Sequence, residues 1–230
     1  MIGIIGAMQI EVDNLLEIME DKSTQMVSGI EYVKGKIHGR GVVVAKCGIG
    51  KVFAALCTQT MILNFSPYVI VNTGVSGGLL EETAIGDVVI AKNVCQHDMD
   101  TSGIGDPVGM ISGINLVHIP TSESVSKMLD KVLSKMNVSH KMGTIATGDQ
   151  FISDTKITHE INKKFGAIAF DMESAAIGQV CYVNDVEYGI IRSISDNGSE
   201  DAGVDFMQFA KKAAKISSEV VEGFIESIGK

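Results

Sequence analysis

Positive charge is what this chain has least of. Lysine and arginine together number 19 against 28 aspartates and glutamates, giving a net charge of −9. Arginine occurs only at Arg40 and Arg192. Binding a nucleic-acid backbone or an anionic membrane surface takes clustered Lys and Arg, so the composition argues against both partners. The four cysteines, Cys47, Cys57, Cys95 and Cys181, form no C-x-x-C pair and sit in apolar stretches. They read as reduced core thiols, neither disulfides nor metal ligands. No apolar run approaches the roughly 20 residues of a membrane helix. The opening Met-Ile-Gly-Ile-Ile-Gly-Ala-Met run has no basic residue and is too short for a signal peptide, so the expected compartment is the cytoplasm. The chain also lacks the G-x-S-x-G elbow of serine hydrolases. Gly74–Gly78 lacks the lysine of a P-loop, and Gly48-Ile-Gly-Lys51 lacks the third glycine of a dinucleotide fingerprint. His97-Asp-Met-Asp100 has no second His or Cys at ligand spacing, so no metal is expected and the segment reads as a loop anchor.

What remains is an ordinary globular composition, 45% hydrophobic and 20% charged over 230 residues. That length predicts one domain spanning residues 1–230, large enough to bury its core unaided. Short apolar runs and helical periodicities alternate along it. Strands are expected at Ile2–Ile5, Glu31–Ile37, Gly41–Lys46, Tyr68–Asn72, Asp87–Ala91, Met142–Ala146, Ala167–Phe170 and Glu187–Ile194. Helices are expected at Ile10–Glu20, Val52–Asn64, Ser122–Met136, Ile157–Phe165, Glu173–Val183 and Phe206–Ile228. Thr73–Gly78 reads as a Gly-rich turn, and Ser195–Asp205 as a polar loop. Residues 96–120 form the longest irregular stretch, with Gly103, Gly105 and Gly109 close together. The alternation predicts a three-layer α/β fold whose central, mixed, mostly parallel twisted sheet is flanked by helices.

In such folds ligands bind beyond the carboxyl ends of the strands. The residues there are Met8 and Glu11, Gly48 and Ile49, Thr73 to Gly78, Phe151 and Ile152, Asp171 to Glu173, and Ser195 and Asp196. Each has a plain reading by itself. Glu11 could be an acid favoured by a helix N-terminus, Glu173 a cap, and Asp196 a turn residue. Together they bring carboxylates from three segments to one end of the sheet.

In sequence order these segments resemble one family. Gly3-Ile-Ile-Gly-Ala-Met-Gln-Ile-Glu11 is similar to the opening of 5′-methylthioadenosine/S-adenosylhomocysteine nucleosidases, which have a nucleoside phosphorylase-like fold. Cys47-Gly-Ile-Gly-Lys-Val52, Asn72-Thr-Gly-Val-Ser-Gly-Gly78 and Thr147-Gly-Asp-Gln-Phe-Ile152 resemble later motifs of that family. Asp171-Met-Glu-Ser-Ala-Ala176 and Arg192-Ser-Ile-Ser-Asp196 complete the set. The resemblance implies a homodimer that hydrolyses the adenine–ribose bond of a small nucleoside without a cofactor. It implies that Glu11 activates water and Asp196 protonates the purine. Glu173 would hold the ribose hydroxyls, with Met172 and Met8 packed on the sugar. Phe151 would stack on adenine and the Ile152 backbone would read its edge. Ser195 would set Asp196, and Ser76 and Gly77 would line the base pocket. Phe206 and Ile49 would border the 5′-thio group, with the partner chain covering that pocket. The chemistry suits two carboxylates: one protonates the leaving base while the other delivers water to the sugar.

Two departures stand out. Ile104 occupies the place where the family commonly has an aromatic residue over the 5′ substituent, and Val75-Ser76 replaces a common S-A pair. The altered loop keeps open a relative acting on futalosine-type nucleosides. A purine nucleoside phosphorylase would need arginines for phosphate, yet Asn72 stands where such enzymes carry Arg. A non-catalytic nucleoside-binding protein would have no need of both Glu11 and Asp196.

Overall fold

The computed structural model describes residues 1–79 and 81–228. The chain runs β1 (Ile2–Gly6), α1 (Gln9–Ile18), β2 (Glu20–Val27), β3 (Ile30–Ile37), β4 (Arg40–Lys46), α2 (Lys51–Phe65), β5 (Val69–Gly78) and β6 (Val88–Gln96). A short 3₁₀ turn (Ser102–Ile104) leads to β7 (Ile119–Pro120), α3 (Glu123–Met136), β8 (His140–Thr147), α4 (Thr155–Phe165), β9 (Ala167–Asp171), α5 (Ser174–Val183), β10 (Glu187–Asp196) and α6 (Ala202–Ser227).

The strands make one mixed sheet in the order β10-β6-β8-β9-β5-β1-β4-β3-β2. β5 pairs with β1 and β10 in parallel and with β9 antiparallel, and β10 also pairs with β6. The strands β5, β10, β6, β8 and β9 therefore close on themselves, while β1, β4, β3 and β2 extend from β5 as a wing. Helices cover both faces, giving the three-layer α/β arrangement that the alternating pattern predicts. On one face Leu15 of α1, Leu129 of α3 and Phe224 of α6 pack on Ile2, Ile4 and Val71. On the other Ala54, Cys57 and Met61 of α2 and Ile177 and Cys181 of α5 meet Ile5, Ile70 and Ile190. Successive residues of β1 thus feed opposite layers, which is why its sequence is apolar without alternation. Each large side chain buried there contributes roughly 1.5–3 kcal/mol. No helix among the described residues is long and apolar enough to cross a membrane.

Local chemistry explains several helix ends. α4 starts where the Asp154 carboxylate accepts a hydrogen bond from Lys156 N at 2.8 Å, and it stops at Gly166, whose φ is 64°. α3 ends at Asn137, which takes the left-handed conformation at φ 52°.

Three expectations are corrected. The helix expected to run to Glu20 stops at Ile18, and Glu20 opens β2, a strand the pattern missed. β2 is exposed along nearly its whole length and pairs only with β3, so burial leaves no alternating signature in it. Its hairpin turn at Ser28 and Gly29, with φ of 52° and 76°, was the available signal. The expected turn at Thr73–Gly78 is instead the second half of β5, paired with β10 from Thr73 to Gly77 and with β9 at Gly77 and Gly78. The expected loop Ser195–Asp205 is shorter, because β10 continues to Asp196 and α6 begins at Ala202.

Candidate active site

Glu11 lies in the first turn of α1 and is almost fully buried. Its Oε2 accepts hydrogen bonds from Ala7 N at 2.7 Å and Met8 N at 2.8 Å. Its Oε1 accepts from Val75 N of β5 at 2.9 Å. The helix-start reading therefore holds, but it is half of the story, since the same carboxylate reaches across to β5. Burial raises the Glu11 pKa above the usual carboxylate value. The Arg192 charge and the three N–H groups pull it back down. The glycine at position 74 makes room for this arrangement. A Cβ there would stand 2.5 Å from Glu11 Oε1 and 2.9 Å from Arg192 Nη1. Glycine in this segment serves close approach, and no turn needs it.

Arg192 is a fully buried cation in the middle of β10. Its Nε donates to Asp171 Oδ2 at 2.7 Å and its Nη2 to Asn72 Oδ1 at 2.6 Å, while Nη2 lies 3.8 Å from Glu173 Oε2. Asp171 also accepts from Thr147 Oγ1 at 2.5 Å and from the backbone N–H and hydroxyl of Ser174. One guanidinium thus faces three buried carboxylates, Asp171, Glu173 and Glu11. Burial, then the charge of Asp171, pushes Glu173 up to about 7. Glu173 precedes the first turn of α5, and its Oε1 accepts from Gly50 N at 2.9 Å. Sequence reasoning left Arg192 out of the site. The signal was present: an arginine within Ile190-Ile-Arg-Ser-Ile194 must find carboxylates, because an unpaired buried charge is prohibitively costly.

Asp196 ends β10 at an irregularity, where the pairing with β5 shifts register between Ile194 and Asp196. The shift turns its carboxyl inward, so that only 2% of the residue is exposed. Oδ1 accepts from Gly198 N at 2.9 Å and Oδ2 from Ser195 Oγ at 3.0 Å. Burial raises its pKa, and nearby Asp205 adds to the effect. A Cβ at position 77 would lie 2.9 Å from Asp196 Oδ1, so the second glycine of β5 admits this acid as Gly74 admits Glu11. The two carboxylates are therefore anchored along one strand, at Val75 and Gly77, two residues and roughly 6.6 Å of strand rise apart.

Between them lies a pocket of about 650 Å³ including its open mouth. The twelve residues to which the family resemblance gives a role all line it: Met8, Glu11, Ile49, Ser76, Gly77, Phe151, Ile152, Met172, Glu173, Ser195, Asp196 and Phe206, whereas Gly48, Thr73, Gly74 and Gly78 do not. Ala7, Val75, Gln150, Phe170, Asp171 and Gly198 complete the wall. Phe151 meets Phe206 edge to face, with ring centroids 5.7 Å apart. Phe151 and Ile49 are each about half exposed and form the mouth. Ile104 stands outside, 85% exposed on the 3₁₀ turn. Ser76 Oγ is buried with no hydrogen-bond partner among the described residues. Among the described residues the charged lining groups are all acidic: Glu11, Asp171, Glu173 and Asp196. Such a pocket suits an uncharged, largely apolar ligand with a few polar handles, and favours positive charge developing on it. Among the described residues, no group of three or more His, Cys, Asp and Glu side chains could hold a metal ion.

Comparison with known proteins gives the family of the whole chain. Residues 1–226 match the model of the phosphorylase superfamily. The chain is 41% identical over 228 residues, 99% of both chains, to a 5′-methylthioadenosine/S-adenosylhomocysteine nucleosidase of Shewanella sediminis. It superposes on the nucleosidase of that name from Neisseria meningitidis, solved with methylthio-immucillin-A, with a TM-score of 0.96 at 31% identity, covering 99% of each chain. A futalosine hydrolase of Helicobacter pylori gives a TM-score of 0.95 at 34% identity, covering 99% of this chain and 97% of the other.

Proposed function

Because the chain belongs to the phosphorylase superfamily and, within it, to the 5′-methylthioadenosine/S-adenosylhomocysteine nucleosidases, we infer that it hydrolyses the N-glycosidic bond of those two nucleosides. The products are adenine and the corresponding 5-thioribose. The observation that carries the reading is the pair of buried carboxylates, Glu11 and Asp196, on the walls of one acidic, part-apolar pocket.

We assign the base to Glu11 and the acid to Asp196. A carboxylate offers about four lone-pair positions. Three on Glu11 accept backbone N–H groups, which leaves one for a water molecule. Those N–H groups and Arg192 favour the ionised form, while burial keeps it basic. Burial raises Asp196 as it raises Glu11, but where Glu11 has the Arg192 cation nearby, Asp196 has the like charge of Asp205. Burial favours its protonated form, so it can donate to the purine as the glycosidic bond breaks. The water then adds its oxygen to the anomeric carbon and its proton to Glu11, and the sum is one water consumed. Glu173 is the acceptor for the ribose hydroxyls, with Met172 and Met8 against the sugar. Phe151 stacks on the base, the Ile152 backbone reads its edge, and Ser195, Ser76 and Gly77 hold Asp196 and the base side. Ile49 and Phe206 border the 5′ substituent. The acidic lining, with no lysine or arginine among its described residues, disfavours phosphate as the nucleophile.

We further propose a homodimer whose second chain closes the mouth over the 5′ group. Val52, Phe53, Leu56 and Leu63 leave an apolar face of α2 exposed, next to the half-exposed Ile49 and Phe151. Four free, buried cysteines suit a reducing compartment, the cytoplasm.

The test is release of the free purine base from a panel of 5′-modified adenosines and a futalosine-type nucleoside, with and without phosphate. Adenine should appear without phosphate. Asp196→Asn should slow release by about 10²–10⁴-fold, the usual contribution of a positioned acid. Undiminished turnover by that variant would remove Asp196 from the role.

A further inference from the structure

We propose that Asp98, Lys51 and Asp149 form a clamp that sets the shape of the nucleoside pocket from outside it, and that Asp98 is its keystone. The inference rests on the nucleosidase reading above. The pocket mouth is built from the loop between β4 and α2, which carries Ile49, and the segment after β8, which carries Gln150, Phe151 and Ile152. A third segment, residues 97–100 after β6, contributes nothing to the pocket wall. It is nevertheless the hub that ties the other two together.

The bonds form a closed ring. Lys51 N donates to Asp149 Oδ1 at 2.8 Å. Asp149 N donates to Asp98 Oδ2 at 3.0 Å. Lys51 Nζ donates to Asp98 Oδ1 at 2.6 Å and to Gln96 Oε1 at 3.2 Å. Gln96 in turn donates to Gln179 Oε1 of α5 at 2.8 Å. Neither Asp98 nor Lys51 is freely exposed, with side-chain accessibilities of 25% and 20%. Beneath the ring the His97 ring packs directly on Gly148, where any Cβ would collide with it. This is the His97-Asp-Met-Asp100 segment that the composition marks as a loop anchor.

The ring reaches the ligand through two short lever arms. Gly50 N, next to Lys51, donates to Glu173 Oε1 at 2.9 Å and so fixes the ribose-side carboxylate. Gln150 and Phe151 follow Asp149 immediately, so the position of Asp149 fixes where the stacking ring stands. The acid and the base are held otherwise, Asp196 by Ser195 and Gly198, and Glu11 by Ala7, Met8 and Val75. The clamp therefore governs binding of the base and sugar far more than the bond-breaking step.

The experiment compares wild type with Asp98→Ala, Lys51→Met and the double variant. It measures kcat and KM for methylthioadenosine, the inhibition constant of free adenine, and the melting temperature. The expected result is a rise of about tenfold in both KM and the adenine constant, with kcat within about twofold. The double variant should be no worse than the poorer single one, because both remove the same ring. The clamp is overturned if KM and the adenine constant stay at wild-type values, or if kcat falls while they do not move. Should Asp98→Ala not fold, Lys51→Met decides alone, since its backbone bond to Asp149 survives. A wild type that releases no adenine would instead refute the nucleosidase reading, and adenine affinity would still report on the clamp.

Discussion

Glu173 shares one guanidinium with two other buried carboxylates, and its proton has consequences for stability. Its pKa stands near 7 in the fold, against 4.5 for the ordinary group. Between those values the folded protein keeps a proton that the unfolded chain releases. Glu173 therefore favours folding in acid, and that contribution is lost as pH rises through about 7. Glu11 and Asp196, both raised chiefly by burial, act in the same direction. The melting temperature should fall between about pH 5 and about pH 8, and Glu173→Gln should reduce that fall. Thermal unfolding at both pH values checks this, and an equally steep fall in the variant would exclude Glu173 as a source. The same variant should raise KM for the nucleoside, because a neutral amide is a poorer acceptor for ribose hydroxyls.

At the scale of the element, β5 organises the site. Its first half is a buried apolar strand, and its second half trades side chains for space. Glu11 reaches Val75 across Gly74, and Asp196 stands beside Gly77. Gly74→Ala should cost about 1–3 kcal/mol of stability by overpacking. It should also cut kcat by two orders of magnitude or more, about the loss expected when a base is displaced. Paired measurements of Tm and kcat check this; a stable variant with normal kcat would mean that Glu11 needs no such room. The glycines of Thr73–Gly78 point to a turn by composition, because glycine signals a turn when only neighbours in sequence are considered. Their actual partners, Glu11, Arg192 and Asp196, lie 64, 118 and 119 positions away from the glycines or the residues beside them. β2 was hidden for the converse reason: it buries almost nothing, so its sequence carries no pattern of burial.

For the whole molecule, the proposed dimer makes a prediction of its own. Val52 and Leu63 are 78% and 72% exposed on one face of α2. Replacing both with aspartate should leave the fold intact and shift the protein to monomer, which sedimentation velocity would show. If a second chain closes the pocket, catalytic efficiency for 5′-alkylthio nucleosides should fall by about tenfold or more in that variant. A wild-type monomer with full activity would remove the partner chain from the site. The sequence by itself determined the layered α/β class, most of its helices, and the polar residues that stand beyond the strand ends. These follow from periodicity and from short local motifs, which neighbouring residues encode. Only the tertiary structure decided that β5 and β10 run on as strands into the site, that Arg192 lies buried among three carboxylates, and that Asp98 ties two distant loops together. Those outcomes depend on which surfaces meet when the sheet closes on itself, and a charge or a glycine acquires its role only from the atoms that folding brings against it.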